Sequence, residues 1–300
     1  MSKSITLSVI FQGQSLNYGE GIGNISELKK LTRDDGNFYT LATRQAIAYD
    51  IRRLGSEIFG WNLQTVEKKN SKGKSVVQFK NEYSIEESVE MDLFGYMKTE
   101  KGKDSNVRSA VARLSNSISL EPYKSDLDFL SNKGLADRIG VDANLASSEQ
   151  HLSFYTYTLT VDLDGVGVDG DIKLNNKERA SRVNQLLDII KILNRNIRGR
   201  QENLSPLFII GGVYDIANPF FLGRINLDTV KGKYEIRTEA IQAALDLTIL
   251  DCNVKDNTSI GLVSGIFGNE DKVKELVDNT YNIEGFFKNL KEKVDAYYGG

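Results

Sequence analysis

Apolar and polar residues alternate in two segments of the chain, and this period of two predicts half-buried strands. In SITLSVIFQG every second residue from Ile5 to Phe11 is apolar. The segment LSFYTYTLTVDL, at 152–163, is dense in β-branched and aromatic residues, which favour strands. A shorter apolar run, PLFIIGG at 206–212, is typical of a buried strand.

Two other segments repeat apolar residues every three or four positions, which predicts amphipathic helices. We expect the first helix at about residues 40–59 and the second at about residues 176–197. The buried stripe of the first helix would consist of Ile47, Ile51, Leu54 and Ile58. In the second helix the apolar stripe would run from Val183 to Ile197.

Weaker patterns complete the order of elements. SVEMDLFGYM (88–97) and RSAVARLSNSISLEPY (108–123) have strand character, the latter with a polar kink at Ser115 and Asn116. The strong elements then follow the order β, α, β, β, α, β, which is the split βαβ plan of ferredoxin-like and RRM-like folds. The sequence therefore predicts an α+β fold.

Three further regions lie outside that plan. Residues 60–87 are polar and lysine-rich, and residues 123–150 lack periodicity, so we interpret both as insertions. Residues 235–297 predict two or three more helices and the strand SIGLVSGIF. Between the first strand and the first helix, the glycine-rich QSLNYGEGIGN reads as a loop.

Composition excludes several classes of function. The chain has 300 residues, 40% of them apolar, and only three prolines, which indicates a globular protein without a long disordered linker. We find no apolar run of the roughly 18 residues that a membrane span needs. The first residues, MSKSITLSVIF, do not resemble a signal peptide, so we expect a cytoplasmic protein.

Cysteine and histidine counts exclude further chemistry. With one cysteine, Cys252, and one histidine, His151, the chain has no internal disulfide and too few ligands for a structural zinc site. We interpret His151 as an ordinary residue at a strand edge. The acidic stretch DLDGVGVDGD lacks calcium-loop ligands at Val166 and Lys173, which leaves a glycine-rich turn. The aromatics of DIANPFFLGR, at 215–224, fit base stacking and core packing equally.

Charge is distributed unevenly along the chain. Residues 1–124 carry 18 Lys and Arg against 15 Asp and Glu, whereas residues 125–300 carry 20 against 26. In the basic part, TRQAIAYDIRR (43–53) places three arginines and a glutamine on the first helix. This cluster is either a solvated helix face, which residue type alone favours, or a site for phosphates at a helix N-terminus.

A polyanion would need several such clusters along one track. Further candidates lie in the first loop, near the third strand and in the second insertion. Together with the helix, the candidate residues are Asn17, Tyr18, Thr43, Arg44, Gln45, Arg52, Arg108, Arg113, Ser115, Lys133 and Arg138. The aromatic signature of RRM domains is missing, so we do not expect bases to stack on the sheet.

Six segments, in this order, resemble the DevR-type backbone subunit of type I-B CRISPR Cascade complexes. They are NYGEGIGNISELKKL, TRQAIAYDIRR, DLFGYM, RSAVARLSNSISLEPY, YTLTVDLDGVG and FIIGGVYDIANPFF, and the resemblance covers about residues 4–227. It implies one RRM-like domain, residues 1–300, whose palm carries fingers at 60–87 and a thumb at 123–150. Residues 228–300 would be a C-terminal extension that packs on the palm.

The resemblance also implies a function. Copies of such a subunit polymerise along CRISPR guide RNA, grip its backbone and present its bases for pairing with target DNA. The thumb displaces a nucleotide at regular intervals, and we consider Leu135 and Ile139 for this wedge. Implied partners are other copies, a large subunit, a cap subunit and a repeat-processing endonuclease. No cofactor and no catalytic residue are implied.

Two alternatives stay open. Backbone subunits of type III complexes cut target RNA with an aspartate before the first helix, and Asp34 and Asp35 of RDDG lie in that region. An Asx turn before Gly36 explains the same residues without catalysis. A role as a transcriptional regulator is the other alternative, although we find no helix-turn-helix signature.

Overall fold

The computed structural model describes residues 3–71, 74–99, 105–249 and 251–299. Within these ranges, nine strands form one sheet. They are β1 (Ser4–Gln14), β2 (Lys30–Thr32), β3 (Phe38–Ala42), β4 (Ala112–Leu114), β5 (Ser117–Ser119), β6 (Leu152–Asp162), β7 (Phe208–Tyr214), β8 (Thr258–Leu262) and β9 (Thr280–Tyr281). Neighbours follow the order β9-β8-β7-β1-β6-β5-β3-β2, and β4 also pairs with β6. The pairs are antiparallel except β8 with β9.

The two predicted alternating strands form the centre of this sheet. β1 pairs with β6 along its whole length, from Ser4 opposite Asp162 to Gln14 opposite Leu152. Because successive side chains point to opposite faces, one face of β1 carries every second residue of this stretch. These residues are Ile5, Leu7, Val9 and Phe11, and all four are fully buried. The predicted kink at Ser115 and Asn116 is confirmed, since it separates β4 from β5.

Seven α-helices occur in the described part of the chain. They are α1 (Arg44–Phe59), α2 (Val89–Phe94), α3 (Lys133–Ala136), α4 (Asn176–Lys191), α5 (Glu239–Leu245), α6 (Glu270–Lys274) and α7 (Ile283–Tyr298), with a 3-10 turn at Lys255–Asn257. α1, α4 and α7 cover the apolar face of β1 and β6 and form the first core. None of the described helices has the length and apolarity to cross a membrane.

Both long helices are shorter than predicted. Residues 38–42 pair with β5 as strand β3, so α1 begins at Arg44, after the cap residue Thr43. Ile58, which the apolar pattern predicts to be buried, is 48% exposed, because Gly60 ends the helix two residues later with a φ of 69°. α4 ends at Lys191 because the chain then enters a hairpin, Asn194–Ile197 with Arg200–Asn203.

The strand predicted over residues 88–97 is wrong in its first part, which forms α2. Ser88 caps this helix by accepting a hydrogen bond from the Met91 N–H (3.2 Å), and Glu90 and Asp92 lie in its first turn. Capping and acidic side chains at a helix N-terminus outweigh the strand pattern here. Only Tyr96–Lys98 forms a strand, which pairs with Asn106–Arg108.

Hairpins occupy the two segments that the sequence marks as insertions. The first insertion (60–87) contains Val66–Ser71 paired with Lys74–Phe79. The second insertion (123–150) contains Asp126–Ser131 paired with Leu145–Gln150, with α3 between the two strands. Further hairpins are Val168–Asp169 with Ile172–Lys173, Leu227–Val230 with Lys233–Ile236, and Thr248–Ile249 with Cys252–Asn253.

C-terminal residues cover part of the opposite face of the sheet. Ile10 and Phe208 pack there in a second core with residues of α5, α6 and the intervening loops. Phe220 and Phe221 belong to this core and are 5% and 1% exposed, so the aromatics of DIANPFFLGR pack inside rather than stack on bases. The strand within SIGLVSGIF is confirmed, and three C-terminal helices, α5, α6 and α7, agree with the two or three that the sequence predicts.

A buried ion-pair network anchors α2 to α4. Asp92 is fully buried and pairs with Arg108 (2.6 Å) and Arg182 (2.9 Å). It also accepts a hydrogen bond from the Gly167 N–H (2.9 Å). The Asp92 carboxylate thus connects α2, α4 and the loop that follows β6.

We expect Asp92→Ala to lower the free energy of unfolding by about 3 to 5 kcal/mol, because it removes the buried carboxylate that Arg108 and Arg182 share and leaves them only the more exposed Asp169 and Glu178. Urea denaturation followed by circular dichroism measures the loss. Asp137→Ala is the control, since Asp137 pairs with Lys133 on an exposed helix turn. In that control the free energy of unfolding should fall by less than about 1 kcal/mol. Equal losses in the two variants would contradict the role of Asp92 as the anchor between α2 and α4.

Candidate nucleic-acid interface

The start of α1 is held by side chains from two other segments. Thr43 caps the helix, and its hydroxyl accepts from the Ala46 N–H (3.3 Å) and from the side-chain amide of Asn17 (3.2 Å). The Arg44 N–H donates to the side chain of Asn116 (2.9 Å). Two N–H groups of the first turn therefore already have acceptors within the chain, which leaves the side chains of this turn as the main donors for a ligand.

A groove of about 270 Å³ lies between α1, α2 and β4, and we call it the α1 groove. It is lined by Arg44, Gln45, Ala48, Arg52, Phe94, Ala110, Ala112, Arg113 and Leu114. Four of the predicted RNA-binding residues thus meet in one concavity, although Arg113 is far from the other three along the chain. Their meeting depends on the register of β4 against β6.

Three side chains of the groove present open donors. Arg44, Gln45 and Arg113 are exposed. Arg113 donates its Nε–H to the Ala110 carbonyl (3.0 Å), which orients the guanidinium and leaves its terminal nitrogens without a partner among the described residues. Ala48 and Ala112 lie buried below them, so the groove combines an apolar floor with a cationic rim.

Arg52 forms a wall of the groove rather than an open donor. Its Nε lies 2.8 Å from a carboxylate oxygen of Glu90, an ion pair without the angle of a hydrogen bond, and its guanidinium stacks 4.7 Å from the Phe94 ring centroid. Burial lowers the pKa of Arg52 and raises the pKa of Glu90. Glu90 offsets the charge of Arg52, so the net positive charge of the rim comes from Arg44 and Arg113.

Arg108 lies outside the groove. Its side chain is 7% exposed, and its guanidinium pairs with Asp92 and donates to the carbonyls of Asp92 (3.2 Å), Gly165 (2.9 Å) and Val168. Its nitrogens are therefore engaged within the protein. The residue type is right for binding phosphate, but its position gives it a structural role.

Ser115 lies at the kink between β4 and β5, where it bonds to β6. Its N–H donates to the Thr158 carbonyl (2.9 Å), and its hydroxyl accepts from the Thr158 N–H (2.9 Å). The next residue is Asn116, which binds the start of α1. Ser115 thus positions Asn116, a residue that the pattern identified only as part of the kink.

The first loop connects α1 to the second insertion. Asn17 binds Thr43, while the hydroxyl of Tyr18 donates to the Glu149 carbonyl (3.1 Å). The Glu149 carboxylate accepts from the Leu28 N–H (2.7 Å) and pairs with Lys30 (2.6 Å). Asn17 and Tyr18 therefore lie between the helix start and the base of the second insertion.

Lys133 and Arg138 are on the part of the second insertion that includes α3, not in the groove. Both are exposed, and Lys133 pairs with Asp137 (2.7 Å). Leu135 and Ile139, the candidates for the wedge, are 60% and 75% exposed. Their position on a projecting hairpin is compatible with contact to a ligand held at its base.

Asp35 has the geometry of a turn residue. Its carboxylate accepts from the Asn37 N–H (2.9 Å), as an Asx turn requires, and from the Tyr39 hydroxyl (2.7 Å). The Tyr39 hydrogen bond, followed by the Asn37 N–H, lowers the pKa of Asp35, which makes it a weaker base. No group of three or more His, Cys, Asp or Glu side chains among the described residues could hold a metal ion.

His151 is buried at the base of the second insertion. Its ring Nδ1 lies 2.7 Å from the hydroxyl of Thr40, and its backbone N–H donates to the hydroxyl of Ser15 (3.0 Å). Burial lowers the pKa of its imidazole. These contacts agree with the interpretation of His151 as a structural residue.

Comparisons with known proteins agree on one group. The sequence model described as "CRISPR-associated negative auto-regulator DevR/Csa2" matches residues 5–233. No curated protein matches the chain. Among solved structures, a chain of a "CRISPR RNA-guided surveillance complex, pre-nicking" is similar with a TM-score of 0.58 and 12% identity, over 96% of this chain and 100% of that one.

A second solved structure, from a "CRISPR RNA-guided surveillance complex", gives a TM-score of 0.53 and 9% identity over 95% of this chain and 99% of that one. At such identities these two similarities show a shared fold. The family model, in contrast, covers most of the sequence. The chain belongs to the DevR/Csa2 family of CRISPR-associated proteins.

Proposed function

We propose that this protein is an RNA-binding scaffold of a guide-RNA effector complex of the type I-B Cascade kind. The observation that carries the proposal is the α1 groove, where Arg44, Gln45 and Arg113 present open donors above an apolar floor. Guanidinium groups bind phosphate through paired N–H donors, so a nucleic-acid backbone is the ligand that this rim suits. Asn17 and Tyr18 continue the track toward the second insertion.

The fold supports an RRM-like palm. β7, β1, β6 and β5 are neighbours in that order, α1 follows β1, and α4 follows β6. This is the arrangement of the split βαβ plan. We interpret the first insertion as fingers, the second as a thumb and residues 228–300 as an extension on the palm.

Exposed apolar side chains on the thumb support assembly into a filament. Leu127, Phe129, Leu135, Ile139 and Val141 are all more than half exposed on this hairpin. Such surface is typical of an interaction site. In the proposed complex each copy grips guide RNA, contacts the next copy and leaves bases free to pair with target DNA in the cytoplasm. A large subunit, a cap subunit and a repeat-processing endonuclease would complete the assembly.

The proposal includes no catalytic role. Asp35 is engaged in a turn through Asn37 and Tyr39, and Asp34 is exposed beside it. Sequence-independent binding of RNA requires only contacts between the side chains of the α1 groove and the phosphates of the RNA backbone.

Arg44→Glu should weaken binding of single-stranded RNA to all sequences alike, because it replaces a phosphate contact with a repulsive charge. We expect a loss of more than about tenfold, measured by fluorescence anisotropy with labelled oligonucleotides of different sequence. A carboxylate in the first turn suits the helix dipole, so the melting temperature should not fall. Lys272→Glu, the same charge change at an exposed position of α6, is the control. Equal affinity of the two variants would refute the site.

Purification of the protein together with its neighbouring gene products should yield bound RNA. Sequencing of that RNA is expected to return processed repeat–spacer transcripts, since the proposed ligand is guide RNA. A preparation free of nucleic acid at low salt would leave TRQAIAYDIRR as a solvated helix face and would overturn the proposed function.

Incubation of the full chain with labelled target RNA and Mg²⁺ or Mn²⁺ should give no cleavage, because Asp35 is a turn residue of lowered pKa. Denaturing gel electrophoresis measures the products. Metal-dependent cleavage that is lost in Asp34→Ala or Asp35→Ala would instead establish the ribonuclease alternative.

A further inference from the structure

The hairpin after α4 has an unusual residue at its tip. Asn194–Ile197 pairs with Arg200–Asn203 through a two-residue turn, Arg198–Gly199, whose φ angles are 48° and 76°. Two positive φ angles define a type I′ turn, in which Asn, Asp or Gly is preferred at the first position. An arginine there is less favourable than these residues, and Lys231 has the same backbone conformation in another hairpin.

The side chain of Arg198 is oriented by an aromatic ring. Its guanidinium lies 3.8 Å from the ring centroid of Tyr18, whose hydroxyl is fixed by the Glu149 carbonyl. Stacking occupies the face of the guanidinium and leaves the N–H donors in its plane free. No hydrogen bond or ion pair involves these donors within the described ranges, and Arg198 is exposed.

The other arginines of this hairpin have partners. Arg195 pairs with Asp50 (2.6 Å) and donates to the Leu16 carbonyl (2.6 Å). Arg200 donates to the Gln14 carbonyl (3.3 Å) and lies 3.6 Å from Glu202. These contacts fix the hairpin against the first loop. They leave Arg198 as the cation at its tip, beside the loop whose Asn17 contacts the start of α1.

We propose that Arg198, stacked on Tyr18, binds a phosphodiester of single-stranded RNA and extends the interface from the α1 groove toward the base of the second insertion. This inference rests on the proposed function. The ligand is a phosphate of the backbone, since an arginine with a covered face and open in-plane donors suits paired hydrogen bonds to a phosphate. Tyr18 is then a positioning residue for Arg198.

A matched pair of substitutions tests the proposal. Lys231 occupies the same place in another two-residue turn, Lys231–Gly232, with φ angles of 50° and 76°. Arg198→Asn and Lys231→Asn each remove one positive charge and install a residue that this turn prefers. Both variants should therefore keep or raise the melting temperature.

RNA affinity should separate the two variants. For a labelled oligouridine, we expect Arg198→Asn to weaken binding roughly tenfold. It should also flatten the slope of log K against log[salt] by about 0.7, the value for one lost contact to a single strand. Lys231→Asn should match the unmodified chain. Tyr18→Leu should also weaken binding. The double variant should lose less binding free energy than the sum of the two single losses, because both substitutions remove the same contact.

Two failures are distinguishable when Arg44→Glu is measured beside these variants. If Arg44→Glu loses affinity while Arg198→Asn behaves like Lys231→Asn, the α1 groove binds RNA and the role of Arg198 is refuted. If Arg44→Glu also retains full affinity, both the proposed function and the role of Arg198 are refuted. A loss in Arg198→Asn at an unchanged or raised melting temperature supports the assignment, since a structural role would not combine these results.

Discussion

The candidate interface depends on the register between β1 and β6. Their pairing places Gln14 opposite Leu152, so the loop after β1 begins beside the base of the second insertion, where Ser15 bonds to the His151 carbonyl. The same β6 backbone binds Ser115 at the kink, which brings Asn116 to the start of α1. A shift by one residue would turn every side chain of β1 to the other face and separate these segments.

Local distribution of charge, rather than net charge, decides what this surface can bind. The chain has a formal net charge of −3, yet many of its arginines are neutralised by carboxylates in the fold. Arg52, Arg108 and Arg195 have Glu90, Asp92 and Asp50 as partners. Arg44 and Arg113 have no such partner in the described part of the chain, so the rim of the α1 groove carries two unpaired positive charges.

Polar contacts at the ends of elements account for the differences between predicted and observed structure. The apolar pattern of residues 88–97 suits a strand, but Ser88 caps a helix turn there and Asp92 must reach two arginines. Leu193 fits the stripe of the preceding helix and is buried, although the helix ends at Lys191. In both places apolar side chains are buried, as the pattern predicts. The type or the end of the element, however, depends on contacts with other segments, which the pattern does not show.

The sequence by itself determined the central strands, the presence of the two long helices and the family, because alternation, helical spacing and ordered motifs are local properties of the chain. It also indicated the arginines and the glutamine that line the α1 groove. Only the tertiary structure decided which of these side chains are open. Arg44 and Arg108 are the same residue type, but Asp92 and the carbonyls around Arg108 consume its donors. Pairing of a charge requires contact within a few ångströms, and packing between distant segments sets that distance.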